Sequence, residues 1–383
     1  MVDAAWRKII VAVLLGPLAG CAAHDAAREA DSAIASTTPD AQITTWDGAR
    51  AAQPDDANVR ADAATAEAGA ANADASAAQV GAHEDGGAPT DGGAHGPQVD
   101  LSSPQLRELA LDPHVLDPST KDSLSTQYAQ LDTRSVPLGK LVIFLPGANN
   151  VPRDWRDHGR QLAEFGFHVL IPHYNNRWSS DDTCTGMGSA CGDDTRWEAL
   201  VGEDMSAAVD IARADSAEGR VITMLKYLTS AEPGGDWGYY LSAQDRLLYE
   251  RIVIAGISHG AASAGMYATR RPFSRNVMHS SGAAGSAGAA KLTPLSEWYG
   301  FAHEQDPAYS AIIASWNSWG VPGQPTRIDA MPAPFAGSHR LSTAVSSTYP
   351  HGSVCVHSSS PKDAAGNYLF EPAWRYLYGV EAK

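Results

Sequence analysis

Between Arg251 and Gly265 the chain reads Arg-Ile-Val-Ile-Ala-Gly-Ile-Ser-His-Gly-Ala-Ala-Ser-Ala-Gly, and no other stretch restricts the fold as much. Ile252, Val253, Ile254 and Ala255 form a short apolar run rich in β-branched residues, as expected of a strand covered on both faces. Gly256 and Gly260 bracket Ser258, and a β-carbon at either place would crowd a tight turn. The small residues beyond Ser258 let a helix lie close against neighbouring strands. The segment therefore predicts a strand, a sharp corner with serine at its tip, and a helix. A serine held there projects its hydroxyl where a base and a substrate can reach it, which makes Ser258 a candidate nucleophile. A purely structural glycine-rich turn is the alternative.

The surrounding pattern supports alternating strands and helices. Leu141 to Leu145 reads as a strand ended by Pro146-Gly147, followed by a helix from about Pro152 to Glu164. Phe167 to Pro172 is the next strand, and a polar, glycine-rich loop runs from Asn175 to about Asp194. Helices are expected over Trp197 to Arg213 and around Val221 to Leu228. Further strands are expected at Asn276 to His279, Trp298 to Ala302 and Arg340 to Val345. This order predicts a mostly parallel central sheet with helices on both faces. Only Ser281 to Glu297, rich in glycine and alanine, could form a lid, which is too short for a folded cap domain.

With its strand-Pro-Gly loop, a further βα unit and then the Gly-x-Ser-x-Gly corner, residues 101 to 383 resemble the α/β-hydrolase family. That resemblance implies a serine hydrolase with acid and base following the serine in chain order. Asp306, in His303-Glu304-Gln305-Asp306-Pro307, lies just beyond the Trp298 strand where the family carries its acid; Glu304 is the runner-up. Asp306 would also suit a helix N-cap. His351, in Tyr349-Pro350-His351-Gly352, lies beyond the last strand where the base belongs. His339 is the alternative, and His357 comes late. The backbone N–H of His259 would supply one oxyanion donor, and Ala148, with Gly147 next, the second; Pro146 has no N–H to give. The substrate expected is a carboxylic ester. An amide or peptide, or a catalytically inactive surface binding protein on the same scaffold, are the competing readings.

No cofactor is implied. His303-Glu304 lacks the second histidine of an HExxH zinc site, and no His/Asp/Glu cluster has ligand spacing. Neither a basic patch nor an aromatic-rich basic stripe occurs, so nucleic acid is not an expected partner. The aromatic residues Trp298, Tyr299, Phe301, Tyr309, Trp316 and Trp319 read mainly as core.

The N-terminal hundred residues have another character. Arg7 and Lys8 precede an apolar stretch, Ile9 to Leu18, too short to span a bilayer comfortably. Leu18-Ala19-Gly20-Cys21 resembles the lipobox of bacterial lipoproteins, which implies a signal peptide over 1–20, lipidation of Cys21 and anchoring of an exported protein to a membrane. Residues 22–100 carry fourteen Asp/Glu against three Arg, a net charge of −11 within the −16 of the whole chain. Such a segment buries too little apolar surface to fold and reads as a disordered acidic tether spanning 21–100, about 50 Å in root-mean-square length. The acidity is thus a property of the tether. Of the three remaining cysteines, Cys184 and Cys191 bracket a flexible hexapeptide and could close a short disulfide ring, leaving Cys355 as a buried thiol; a bridge from Cys355 to either of them is the other possibility.

Overall fold

The computed structural model describes residues 96–178 and 180–381, with the side chains of residues 180 and 181 excepted. The expected signal peptide, Cys21 and nearly all of the tether lie outside the described residues. The folded part takes in residues just before Leu101. The Gln98 N–H donates to Asp236 Oδ2 at 2.7 Å, and the Asp100 N–H to the Gly234 carbonyl at 2.8 Å.

Nine strands among the described residues form one sheet. They are β1 (Leu106–Leu111), β2 (Gln127–Asp132), β3 (Leu141–Leu145), β4 (His168–Ile171), β5 (Ile252–Ile257), β6 (Arg275–His279), β7 (Trp298–His303), β8 (Thr326–Arg327) and β9 (Arg340–Thr343). Their order across the sheet is β1-β2-β4-β3-β5-β6-β7-β9-β8. Only β2 runs against the rest: it pairs antiparallel with both β1 and β4, while every pairing from β4 to β8 is parallel. This is the α/β-hydrolase fold.

Alternation along the central strands divides the core in two. Leu141, Ile143 and Leu145 join Ile252 and Ile254 under one layer of helices, while Val142, Phe144, Val253 and Ala255 face the other. The first face is covered by α2 (Cys191–Val201), α3 (Ala217–Ala231), α4 (His259–Arg270) and α5 (Tyr309–Trp319). The second is covered by α1 (Arg156–Glu164) and α6 (Glu371–Tyr378), whose Leu162, Ala163, Ala373, Trp374 and Leu377 are buried. Burial on both sides is why these strands read as unbroken apolar runs. The expected aromatic core is present, with Trp298, Tyr299, Phe301, Trp316 and Trp319 all buried; Tyr309 is partly exposed.

Two segments depart from the expectation. The helix expected over Trp197 to Arg213 begins at Cys191 and stops at Val201, because Gly202 takes a left-handed conformation with φ 68°. Residues beyond it form a loop gathered on the buried Glu198 carboxylate, which accepts the N–H groups of Met205, Ser206 and Ile211. That start takes the end of the Asn175 to Asp194 loop into α2 and places Cys191 at its first turn, where it is disulfide-bonded to Cys184. Cys355 is a buried free thiol. Residues 281–297 contain a single helical turn, Leu295–Glu297, and otherwise no regular structure. Among the described residues no helix is long and apolar enough to cross a membrane.

Candidate active site

β3 connects outward to β4 on one side, while β5 and its successors run the other way. The sheet order therefore reverses between β3 and β5, and the crevice outside the carboxyl ends of strands at such a point is where open α/β sheets bind ligands. Ser258 follows β5 there and the Pro146-Gly147-Ala148 turn follows β3.

The corner at Ser258 is built as the glycines predict. Ser258 has φ 56° and ψ −124°, a conformation that costs a non-glycine residue about 1–3 kcal/mol and persists only where its surroundings enforce it. A β-carbon on Gly260 would lie 2.1 Å from the Leu145 carbonyl oxygen and 2.5 Å from that of Pro146. One on Gly256 would lie 2.5 Å from the Gly260 carbonyl carbon. The first turn of α4 is thus pressed against the end of β3, which a larger residue would prevent. Gly147 is close enough that its added β-carbon would meet Ser258 Cβ at 3.4 Å. The Ser258 N–H donates to the His279 carbonyl at the end of β6 (2.9 Å), and its side chain is partly exposed.

Asp306 and His351, 45 positions apart in the chain, meet. His351 Nδ1 donates to Asp306 Oδ2 at 2.7 Å, with the aspartate side chain almost wholly buried and the imidazole 23% exposed. The other carboxylate oxygen of Asp306 accepts the Ala308 N–H at 2.9 Å, which orders the turn before α5; the N-cap position of that helix is Ala308, so Asp306 is not the N-cap it also suited. His351 lies in a one-turn helix, Pro350–Ser353. Its carbonyl accepts the Ser280 hydroxyl at 2.6 Å. Ser280 directly follows His279, so adjacent residues tie both the Ser258 corner and the His351 turn to the end of β6.

The alternatives are engaged elsewhere. Glu304 is paired with Arg327 and accepts the Ser342 hydroxyl at 3.0 Å; its bond to Arg327 holds its carboxyl below the usual range. His339 sits at the amino end of β9, stacked on Tyr299 at 3.9 Å and bonded to the Trp298 carbonyl, at the opposite edge of the sheet from Ser258. His357 packs against Trp155 and Tyr349.

His259 follows Ser258 at the start of α4. Its ring lies edge-on to Trp178 at 4.7 Å, and burial, reinforced by the charge of Arg196, drives its pKa well below that of free histidine. Arg196 donates to the His259 carbonyl (3.2 Å) and to Ser263 Oγ (2.8 Å). In the turn after β3, the Asn149 N–H is given to the Asn176 carbonyl and the Asn150 N–H to the Gly147 carbonyl, each at 3.1 Å. The N–H groups of Ala148 and His259 have no partner among the described residues. Asn176 and Tyr174, which hold this turn, carry no motif that would have marked them in the sequence.

Among the described residues, one group of possible metal ligands stands together: the buried His158, His279 and Cys355, with donor atoms within 4.8 Å of one another. Three of its four imidazole nitrogens are already hydrogen-bonded. The Val356 N–H donates to His158 Nδ1, leaving Nε2–H to donate to Tyr378 Oη, whose own proton goes to His279 Nε2. Burial pushes the Cys355 thiol pKa far up, away from the thiolate a metal needs. The group is a hydrogen-bonded cluster, and no ligand role follows from it.

No family model matches the chain, and no curated protein sequence matches it. Among solved structures, it is similar to a candidate dienelactone hydrolase from Klebsiella pneumoniae subsp. pneumoniae MGH 78578, with 13% identity over 72% of this chain and 97% of that one, at a TM-score of 0.35. The fold assignment rests on the sheet order itself.

Proposed function

We propose that this chain is a serine hydrolase that cleaves carboxylic esters through an acyl-enzyme on Ser258. The observation that carries the reading is the strained Ser258 corner at the switch point of the sheet, with a bonded His351–Asp306 pair fastened to the same strand end. In this mechanism Ser258 Oγ attacks the ester carbonyl carbon while His351 Nε2 takes the hydroxyl proton. Asp306 holds His351 with Nδ1 protonated and Nε2 free to accept, and stabilises the imidazolium that forms. The negative charge moves to the carbonyl oxygen, where the His259 and Ala148 N–H groups would receive it; each such donor is worth about 3 kcal/mol in the transition state. Collapse breaks the C–O bond, and His351 returns the proton to the leaving alcohol. Water then repeats the sequence on the acyl-enzyme, releasing the acid and restoring Ser258.

Export as a lipoprotein anchored through Cys21 belongs to the same proposal and rests on the sequence from Arg7 to Cys21 alone. Short-chain p-nitrophenyl esters offered to the full chain test the chemistry. Turnover that falls at least 1,000-fold in Ser258→Ala, with circular dichroism unchanged, supports the reading. Retained turnover in a folded Ser258→Ala sinks it, and cleavage of anilides in preference to esters would move the assignment to an amidase.

A further inference from the structure

Residues 172–178, beyond β4, run without helix or strand along the carboxyl edge of the sheet. Two of their side chains, two positions apart and so on the same side of an extended chain, reach back to the turn after β3. Tyr174, fully buried, donates its hydroxyl to the Pro146 carbonyl at 3.3 Å, and burial raises its pKa to about 12, which keeps that donor proton in place. Asn176, also fully buried, donates from Nδ2 to the Gly147 carbonyl at 2.7 Å and to the Asn150 carbonyl at 2.9 Å. Its own backbone carbonyl accepts the Asn149 N–H at 3.1 Å. Asn149 adopts φ 59°, so the turn is strained as well as clamped.

The carbonyls of Pro146, Gly147 and Asn150 and the N–H groups of Asn149 and Asn150 are thereby committed. The Ala148 N–H lies within this fixed frame and is itself uncommitted, beside a Gly147 on which an added β-carbon would meet Ser258 Cβ. An oxyanion donor is effective only if it is aimed before the charge develops, so that no reorganisation is paid at the moment of reaction. We infer that Asn176 is a positioning residue that fixes the Ala148 N–H for the developing oxyanion, with Tyr174 as its accessory. The inference rests on the serine-hydrolase reading above. An amide suits this place because one nitrogen supplies two protons to two carbonyls. Alanine would leave both without that donor, and aspartate would set acceptors against them.

The test compares wild type, Asn176→Ala and Tyr174→Phe, as full chains, for kcat and KM on p-nitrophenyl butyrate and for affinity toward phenylboronic acid, which forms a tetrahedral adduct on an activated serine. Amide exchange at Asn149 and Asn150 is followed in the same proteins. Asn176→Ala is expected to lose about 100-fold in kcat with KM within about threefold, the size of one impaired oxyanion donor. Boronate affinity should fall in step with kcat, and exchange at Asn149 and Asn150 should quicken about tenfold or more. A merely structural role would not separate the tetrahedral adduct from the ground state. If Asn176→Ala does not fold, Tyr174→Phe carries the test through a smaller kcat loss, about three- to tenfold, at constant KM. An active wild type with kcat unaffected in both variants, or with KM and boronate affinity moving together, overturns this assignment alone. An inert wild type overturns the hydrolase reading and this assignment with it.

Discussion

Acid should destabilise this domain well above the pH at which carboxylates protonate, because several histidines are buried as neutral rings. His168 donates from Nε2 to the Gly235 carbonyl at 2.7 Å and accepts the Tyr240 hydroxyl on Nδ1 at 2.8 Å. Burial lowers its pKa from 6.5 to about 4, although the bond to Gly235 opposes the shift. His279, wholly enclosed behind Ser258, is lowered by burial to about 3. In the unfolded chain both rings take up a proton below about pH 6.5, whereas the folded chain refuses it. The unfolded state then binds more protons, so stability falls as pH drops through 6.5 and goes on falling until about pH 4 and pH 3 respectively. Linkage gives about 2 kcal/mol lost per ring between pH 8 and pH 5, hence roughly 4 kcal/mol for the pair. His158 and His259, pushed well below the ordinary value by burial, add in the same direction. Urea unfolding at the two pH values and constant ionic strength measures the total. His168→Gln should shrink the pH 8 to pH 5 difference by about 2 kcal/mol whatever its effect on absolute stability. A stability flat between pH 8 and pH 5, or a variant with the wild-type pH difference, would refute the reasoning.

Three more outcomes follow from the geometry. Gly260→Ala forces a β-carbon against the Leu145 and Pro146 carbonyls, so a cost of about 1–3 kcal/mol in urea unfolding and loss of esterase activity are expected. Asp306→Asn should lower kcat by about 10,000-fold by releasing the His351 tautomer, while Glu304→Gln, bound to Arg327 and Ser342, should leave it within about twofold; steady-state kinetics of the two variants separate them. Cys184→Ser opens the ring closed by the Cys184–Cys191 bridge, whose separation of 7 corresponds to a contribution of about 2.5 kcal/mol, read as a fall in the urea midpoint.

The elements legible in the sequence were those whose chemistry is local. β3, β5 and α1 fall close to their expected positions because an apolar run ended by glycine or proline specifies a doubly covered strand without reference to anything distant. β2 is not legible for the opposite reason: Gln127, Gln130 and Asp132 are buried in it, and the polarity of the two glutamines is tolerated through tertiary bonds, Gln127 to the His173 N–H and Gln130 to Glu108 and the Arg156 carbonyl. The overlong helix through Arg213 failed at Gly202, where the chain turns to bring Ser206 and Ile211 onto Glu198. At the candidate site, Ser258 was readable because its turn demands glycines on both sides. The pairing of Asp306 with His351 is not legible from spacing; it was expected only from the chain order that the resemblance to α/β-hydrolases implies. Asn176 could not be foreseen, since a buried asparagine in a polar loop looks like any other until the turn it holds is seen.

The central claim is that Ser258 is an activated nucleophile. Labelling the full chain with a fluorophosphonate and locating the adduct by mass spectrometry tests it most directly. A label on Ser258 that disappears in His351→Ala is the result the account predicts. A folded protein that takes no label, or takes it at another serine, would contradict it.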